Sequence, residues 1–174
     1  QKIVHRTRAM SLSQALNQFA QNLGRYRKRG RVIVVGSIGG RLGLPFQSHY
    51  SSTKAALEMY VEALRLEGRR HGITATIIEP GDLSTGFTGS RILAEPANSP
   101  YYDECQRSVG QMAHDEQTGD GPESVARVIV ATLGKRNPPV RIAVGSSYKA
   151  LMQLKRFLPD RLVEFVMRRI YMKP

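Results

Sequence analysis

The chain has 174 residues, long enough to bury a core of its own, and 41% of them are hydrophobic. No stretch approaches the roughly 20 apolar residues that span a bilayer, and the first residues lack the apolar core of a secretion signal. The single cysteine, Cys105, excludes an internal disulfide, and no second thiol is available for a cysteine-based metal site. We therefore expect a cytoplasmic protein with a free thiol and no metal.

The formal net charge of +12 is the one unusual feature of the composition. Basic residues gather at 25–31, at 69–70 and between 149 and 173. The first two groups fall near the ends of predicted helices, where cations are favourable, so solvated faces account for them. A charged partner remains the alternative, and an anionic membrane surface suits it better than nucleic acid.

Apolar residues at helical spacing predict a first helix from Ala9 to about Tyr26. A β-branched run then predicts a buried strand at 31–35, followed by a glycine-rich loop. Ser48 is a candidate N-cap for a long helix to about His71, and Gly72 offers a left-handed stop.

The second half of the chain begins with a predicted strand at 73–78 that ends at Pro80-Gly81. Periodicity fades between residues 82 and 121, which predicts a loop-rich stretch. A helix at 122–133 with Pro122 at its first position, a strand at 140–144 and two amphipathic helices at 147–158 and 160–171 complete the pattern.

Strands that alternate with helices predict an α/β fold in which a parallel sheet lies between helices in three layers. We expect one domain over residues 1–174, with 146–174 as a C-terminal helical extension. Parallel sheets bind ligands at the carboxyl ends of their strands. Gly36-Ser37 and Pro80-Gly81 follow two predicted strands, so the sequence places the site there.

Tyr50 and Lys54 are four residues apart on the predicted long helix and therefore share one face. A phenol is a poor acid near neutrality, but a cation one turn away favours its ionised form. Proton exchange with a substrate oxygen then becomes feasible, and a hydroxyl such as Ser37 could hold that oxygen. These parts suit carbonyl reduction or alcohol oxidation with a cofactor that carries the hydride.

The segment from Val32 through Ser37 and Tyr50 to Lys54 resembles the short-chain dehydrogenase/reductase family. That family carries a strand ending in Ser, a glycine-containing loop, and Tyr-x-x-x-Lys thirteen residues after the Ser, and the sequence from Ile77 to Thr85 is similar to its next element. The resemblance covers about residues 9 to 145 and implies a partial, doubly wound Rossmann-like sheet whose early strands are missing.

By this resemblance Tyr50 is the general acid/base, Lys54 assists it and contacts the nicotinamide ribose, and Ser37 orients the substrate oxygen. Pro80, Gly81 and Thr85 would border the nicotinamide, although Thr85 could also be a turn residue that bonds its own backbone. The implied cofactor is NAD or NADP, which the sequence does not distinguish. The implied substrate is a small alcohol or carbonyl compound, with an apolar character suggested by the C-terminal helices, and the implied assembly is a homodimer or tetramer.

Two elements of the family pattern have no counterpart in this sequence. The glycine-rich turn that receives the dinucleotide phosphates would lie before residue 1, as would the early strands. The Asn that usually completes the catalytic set is absent around His5 to Arg8.

Three hypotheses follow. The first is an oxidoreductase represented by its C-terminal half, and the second is an inactive relative that serves as an interaction or structural protein. The third is a basic membrane-surface or nucleic-acid binder.

Overall fold

The protein is described by a computed structural model that covers residues 30–92 and 95–172. Three parallel strands form its sheet, in the order β1 (Gly30–Val35), β2 (Ile73–Glu79) and β3 (Arg141–Ala143). The predicted helix at 9–26 lies outside the described residues. The parallel α/β sheet expected from the alternation of strands and helices is confirmed.

Five α-helices accompany the sheet in the described part of the chain. They are α1 (Ser48–Gly68), α2 (Tyr102–Thr118), α3 (Pro122–Leu133), α4 (Ser146–Lys155) and α5 (Asp160–Tyr171). None of the helices within these described ranges is long and apolar enough to cross a membrane.

Alternate strand residues pack on opposite faces of the sheet and so create the three layers. Val32, Val34, Ala75 and Ile77 pack with α1 through residues such as Val61. On the other face, Ile78 of β2 packs with Val125 of α3 and with Val144. These three residues form a second buried cluster. Period-two alternation in buried strands therefore gives each face of the sheet its own helix.

The ends of α1 show one wrong prediction and one confirmed prediction. Gln47, and not Ser48, is the N-cap, and no side chain bonds the first turn. At the other end a 3₁₀ turn at Arg69–His71 extends the helix. Gly72 then adopts φ 67°, the left-handed conformation that glycine accepts without steric cost.

The loop-rich prediction for residues 82–121 is wrong, because α2 occupies 17 of these residues. Its buried positions are Cys105, Ser108 and Met112, and only the last is strongly apolar. This helix contains few aliphatic residues, so the apolar spacing that indicates a helix is sparse in its sequence. The buried Cys105 is a free thiol, and burial raises its pKa.

Candidate active site

The site begins where the first two strands end side by side. Their hydrogen-bonded ladder continues past the strands, since Gly36 N donates to Ile78 O at 2.8 Å and Ile38 N donates to Pro80 O at 2.9 Å. Ser37 lies between these two bonds, in extended backbone, and starts a 3₁₀ turn at Ile38–Gly40. The two segments singled out from the sequence are therefore neighbours at the carboxyl edge of the sheet.

Ser37 is buried, and its hydroxyl makes one hydrogen bond among the described residues, in which it is the acceptor. Its Oγ accepts a hydrogen bond from Gly39 N at 3.0 Å. No acceptor for the hydroxyl hydrogen lies among the described residues, so that hydrogen is available to a ligand.

Tyr50 and Lys54 lie one turn apart at the start of α1, as the spacing predicts. The Lys54 Nζ is 5.6 Å from the centre of the Tyr50 ring. Within the described residues the ammonium has no carboxylate partner and the phenol oxygen has no hydrogen bond. Partial burial lowers the pKa of Lys54 because it disfavours the charged form.

The glycines of the 3₁₀ turn set how closely these groups approach. A Cβ built on Gly39 would lie 3.1 Å from Cε1 of Tyr50 and 3.3 Å from Oγ of Ser37. A Cβ on Gly40 would lie 2.9 Å from the backbone carbonyl carbon of Lys54. The absence of side chains there lets the turn press against α1 and leaves space beside both hydroxyl-bearing residues.

The loop that follows is tied to the same helix by Ser51. Its Oγ accepts a hydrogen bond from Leu44 N at 3.2 Å and donates one to Leu42 O at 3.3 Å. Leu42 in turn packs with Met152 of α4 and with Val163 of α5. These contacts fix the C-terminal helices over the carboxyl edge of the sheet.

All six predicted site residues line one cavity of about 590 Å³. They are Ser37, Tyr50, Lys54, Pro80, Gly81 and Thr85. Thr85 also accepts a hydrogen bond from Phe87 N at 3.3 Å, so it makes the local turn contact as well. The structure therefore brings the six together without distinguishing the two readings of Thr85.

Tyr148 is a site residue that sequence reasoning missed. Its ring lies directly against Gly81, where any Cβ would collide with it. Its hydroxyl donates to the Asp82 carboxylate at 2.5 Å and accepts from Asp82 N at 3.2 Å. Burial and then the Asp82 contact raise the pKa of Tyr148 to about 12, and burial raises the pKa of Asp82.

The rest of the cavity wall comes from the helices that the motifs do not include. Its apolar side comes from α4, α5 and the turn between them, through Leu151, Leu154, Leu158, Val163, Val166, Met167 and Ile170. The acidic side comes from Asp82 together with Asp115 and Glu116 of α2. The spacing of apolar residues predicts helices α4 and α5, but the sequence does not indicate that they line the same cavity as Tyr50.

A buried cluster of charges lies one turn beyond Lys54. The Glu58 Oε2 accepts a hydrogen bond from Arg141 Nε at 2.7 Å, and Arg41 Nη1 lies 3.4 Å from Glu79 Oε2. The Glu58 and Glu79 side chains are 3% and 1% exposed, and the Oε1 atom of each has no donor among the described residues. A proton on Glu58 would remove one of the two buried negative charges and so lower the cost of burying this cluster.

The pKa of Glu58 follows from this arrangement. Burial is the largest cause, and the charge of Glu79 adds to it, while the bond from Arg141 acts in the opposite direction. The net effect raises the pKa of Glu58 to about 7. The cluster joins α1, the end of β2 and β3 directly beneath the site.

Comparison with known proteins gives consistent matches to one family. The model of the short chain dehydrogenase family matches residues 4–95. The 3-ketodihydrosphingosine reductase of Bacteroides thetaiotaomicron is 36% identical over 150 residues, which cover 84% of this chain and 56% of that protein. Retinol dehydrogenase 8 of Bos taurus is 28% identical over 144 residues, which cover 77% of this chain and 46% of that protein.

Solved structures match the fold to a similar extent. A short-chain dehydrogenase from Streptomyces avermitilis superposes with a TM-score of 0.64 at 29% identity, covering 85% of this chain and 53% of that one. A short chain dehydrogenase from Burkholderia cenocepacia in complex with NADP gives 0.62 at 19% identity, covering 95% and 55%. The chain thus spans about half the length of the proteins it matches.

Proposed function

This chain belongs to the short-chain dehydrogenase family, and on that premise we propose that it carries the catalytic residues of an NAD(P)-dependent oxidoreductase that interconverts an alcohol and a ketone or aldehyde. One observation carries the proposal. Ser37, Tyr50 and Lys54 line the same cavity, and each presents to it a polar group with spare hydrogen-bonding capacity among the described residues.

The proton-transfer group in this proposal is the Tyr50 hydroxyl. In reduction it gives its proton to the oxygen of the substrate carbonyl, and in oxidation it takes the proton from the alcohol. The Lys54 ammonium lies 5.6 Å from the ring centre and has no carboxylate partner among the described residues, so it can interact with the negative charge that forms on Tyr50 when the proton leaves. The Ser37 hydroxyl donates its free hydrogen to the same substrate oxygen, because its Oγ already accepts from Gly39.

The cavity also fits the nicotinamide end of the cofactor. Lys54 would hold the ribose, and Pro80, Gly81 and Thr85 would border the ring; when bound, the cofactor supplies or takes up the hydride. The fit at Gly81 has a second explanation, because Tyr148 alone requires a glycine there. Within the described residues the glycine-rich segment after β1 leads into a 3₁₀ turn and a loop, so no phosphate cradle accompanies it. The residues support NAD and NADP equally.

The substrate we propose is a lipophilic alcohol or ketone. The α4–α5 side of the cavity is aliphatic over seven side chains, which matches an apolar ligand whose reacting oxygen is near Tyr50. A relative named for reduction of 3-ketodihydrosphingosine and another named for retinol agree with this class. Assembly into a dimer or tetramer stays a prediction.

Replacement of Tyr50 by Phe tests the chemistry. We expect NADH- or NADPH-dependent turnover of a long-chain ketone to fall by about 10²–10⁴-fold, because the ring remains but the transferable proton is gone. Tyr101→Phe is the matched control, since Tyr101 is exposed and lies outside the cavity. Retention of turnover in Tyr50→Phe would contradict the proposal.

A second candidate is a non-catalytic relative that acts through its sheet edge. β1 pairs only with β2 among the described residues, and Val35 at its end is 47% exposed. Titration of the chain with NADH and NADPH discriminates the two. Micromolar binding supports the enzyme, whereas no binding, together with association through β1, supports the interaction protein.

A further inference from the structure

The C-terminal helices expose an apolar stripe on the outside of the protein. On α5, Leu162, Val166 and Ile170 follow one another at intervals of four residues, and Phe165 lies beside them; all four are exposed. In the turn between α4 and α5, Phe157 is 78% exposed. We call these five residues the α5 stripe.

Basic residues outnumber acidic ones in the segment that carries the α5 stripe. Helices α4 and α5 and their connecting turn contain six basic residues against two acidic ones, Asp160 and Glu164. The basic residues are Lys149, Lys155, Arg156, Arg161, Arg168 and Arg169. The Arg169 guanidinium lies 5.6 Å from the ring centre of Phe165, so charge and apolar surface are interleaved. A helix with this pattern suits the interface of a membrane.

The α5 stripe is continuous with the substrate cavity. Val166 and Ile170 line the cavity and are also exposed to solvent. Phe157, Leu162 and Phe165 do not line it and extend the same apolar surface outward. The apolar surface beside α5 is therefore continuous with the apolar lining of the cavity, which also contains Lys155, Asp115 and Glu116.

We propose that the α5 stripe docks on the surface of an anionic membrane, with the mouth of the cavity facing the lipid. Apolar side chains would enter the acyl boundary while Arg161, Arg168 and Arg169 meet anionic headgroups. The cavity would then exchange lipophilic ligands directly with the bilayer. The docking stands without the proposed oxidoreductase chemistry, because it uses residues outside the catalytic edge.

The positive charge around the α5 stripe argues against two other candidates for covering it. A second copy docked by a two-fold axis would bring the same cations of both copies together, which opposes association. Residues 1–29 contain seven basic and no acidic side chains, so this segment is equally unsuited to cover a basic face. An anionic lipid surface complements both the charge and the apolar area.

Sedimentation of the full chain with vesicles tests the docking. We expect binding to vesicles of phosphatidylcholine with phosphatidylserine, weak binding to phosphatidylcholine alone, and loss of binding at high salt. Arg161→Glu/Arg169→Glu should weaken binding by at least about 30-fold, and Phe157→Ser/Phe165→Ser by about 10-fold or more. None of these four side chains lines the cavity.

Two double variants on α1 and the 3₁₀ turn after it serve as matched controls. Met59→Ser/Leu66→Ser removes two other exposed apolar side chains, and Arg69→Glu/Arg70→Glu reverses two other cations near the opposite edge of the sheet. Both should bind vesicles like the parent chain. An equal loss in these controls, or equal binding to both kinds of vesicle, would overturn the proposal.

Sedimentation velocity without vesicles tests the alternative that a second copy of the chain binds the α5 stripe. A monomer–dimer equilibrium that is abolished by Phe157→Ser/Phe165→Ser would assign the α5 stripe to self-association and overturn the membrane proposal. An unchanged sedimentation coefficient in those variants, with lost vesicle binding, supports it. Because neither readout involves turnover, failure here leaves the Tyr50 proposal standing, and the reverse also holds.

Discussion

Replacing Glu58 by Gln should make the protein more stable than the parent at alkaline pH and not at acidic pH. The native pKa of Glu58 is raised to about 7 from an ordinary value of 4.5, chiefly by burial and then by Glu79. The native state therefore holds a proton that the unfolded state has released, and the free energy of unfolding falls as pH rises between these two values. The stability is fully present below about pH 4.5 and the loss is complete above about pH 7.

The size of the effect follows from the pKa difference. At about 1.4 kcal/mol per pKa unit, ionisation of Glu58 costs roughly 3 kcal/mol of folding free energy. Gln is the neutral, near-isosteric copy of the protonated side chain. Its amide oxygen can accept from Arg141, and its amide nitrogen places donors at the buried position where Glu58 Oε1 has no hydrogen-bond partner among the described residues. The variant therefore keeps the hydrogen bonds and removes the titration.

Urea unfolding followed by circular dichroism at several pH values between about 5 and 8 measures the effect. The difference in unfolding free energy, variant minus parent, should be near zero at the acidic end and rise by up to about 3 kcal/mol at the alkaline end. Glu62→Gln is the control, since Glu62 bonds the same Arg141 from a half-exposed position. A difference that stays flat or turns negative with pH would refute the raised pKa of native Glu58.

Two further predictions concern the contacts that shape the cavity. Gly40→Ala should lower stability by about 1–3 kcal/mol and reduce turnover, because the new Cβ meets the Lys54 backbone at 2.9 Å and forces the Ser37 turn away from α1. Gly43→Ala is the control in the same loop, because nothing lies within 4 Å of the added carbon. It should change neither the stability measured by urea unfolding nor the turnover measured by steady-state kinetics. Tyr148→Phe should cost about 1–3 kcal/mol, because it leaves the Asp82 carboxylate and amide without their partner. Equal urea midpoints for Tyr148→Phe and the parent would show that water replaces the hydroxyl.

The grouping of residues at the carboxyl edge of the sheet could be predicted from the sequence, because the patterns that indicate it are local. Ser37 is two residues past the end of β1, and Tyr50 and Lys54 share a helical face, so strand ends and spacing suffice to group them. Most helix and strand bounds follow from the same periodicities, including Pro122 at the start of α3 and Asp160 at the start of α5. The three residues meet as expected.

The remaining parts of the site depend on contacts between distant segments. Tyr148 reaches Asp82 across 66 positions of sequence, and Arg141 reaches Glu58 across 83. Neither pair belongs to a periodic pattern, and each member alone resembles an ordinary polar residue. α2 escaped prediction for a related reason, because it buries a cysteine and a serine where a helix pattern leads one to expect aliphatic residues.

These distant contacts hold Ser37, Tyr50 and Lys54 from three sides. The ladder through Gly36 and Ile38 fixes Ser37 to β2, Ser51 fixes the loop to α1, and the Glu58–Arg141 pair fixes α1 to β3. All of these ties lie within residues 36–141, and none uses a phosphate-binding turn. Among the described residues, the arrangement of Ser37, Tyr50 and Lys54 is therefore set by contacts between these elements. The Tyr50→Phe comparison probes the proposed proton transfer directly, whereas titration with NADH and NADPH probes cofactor binding.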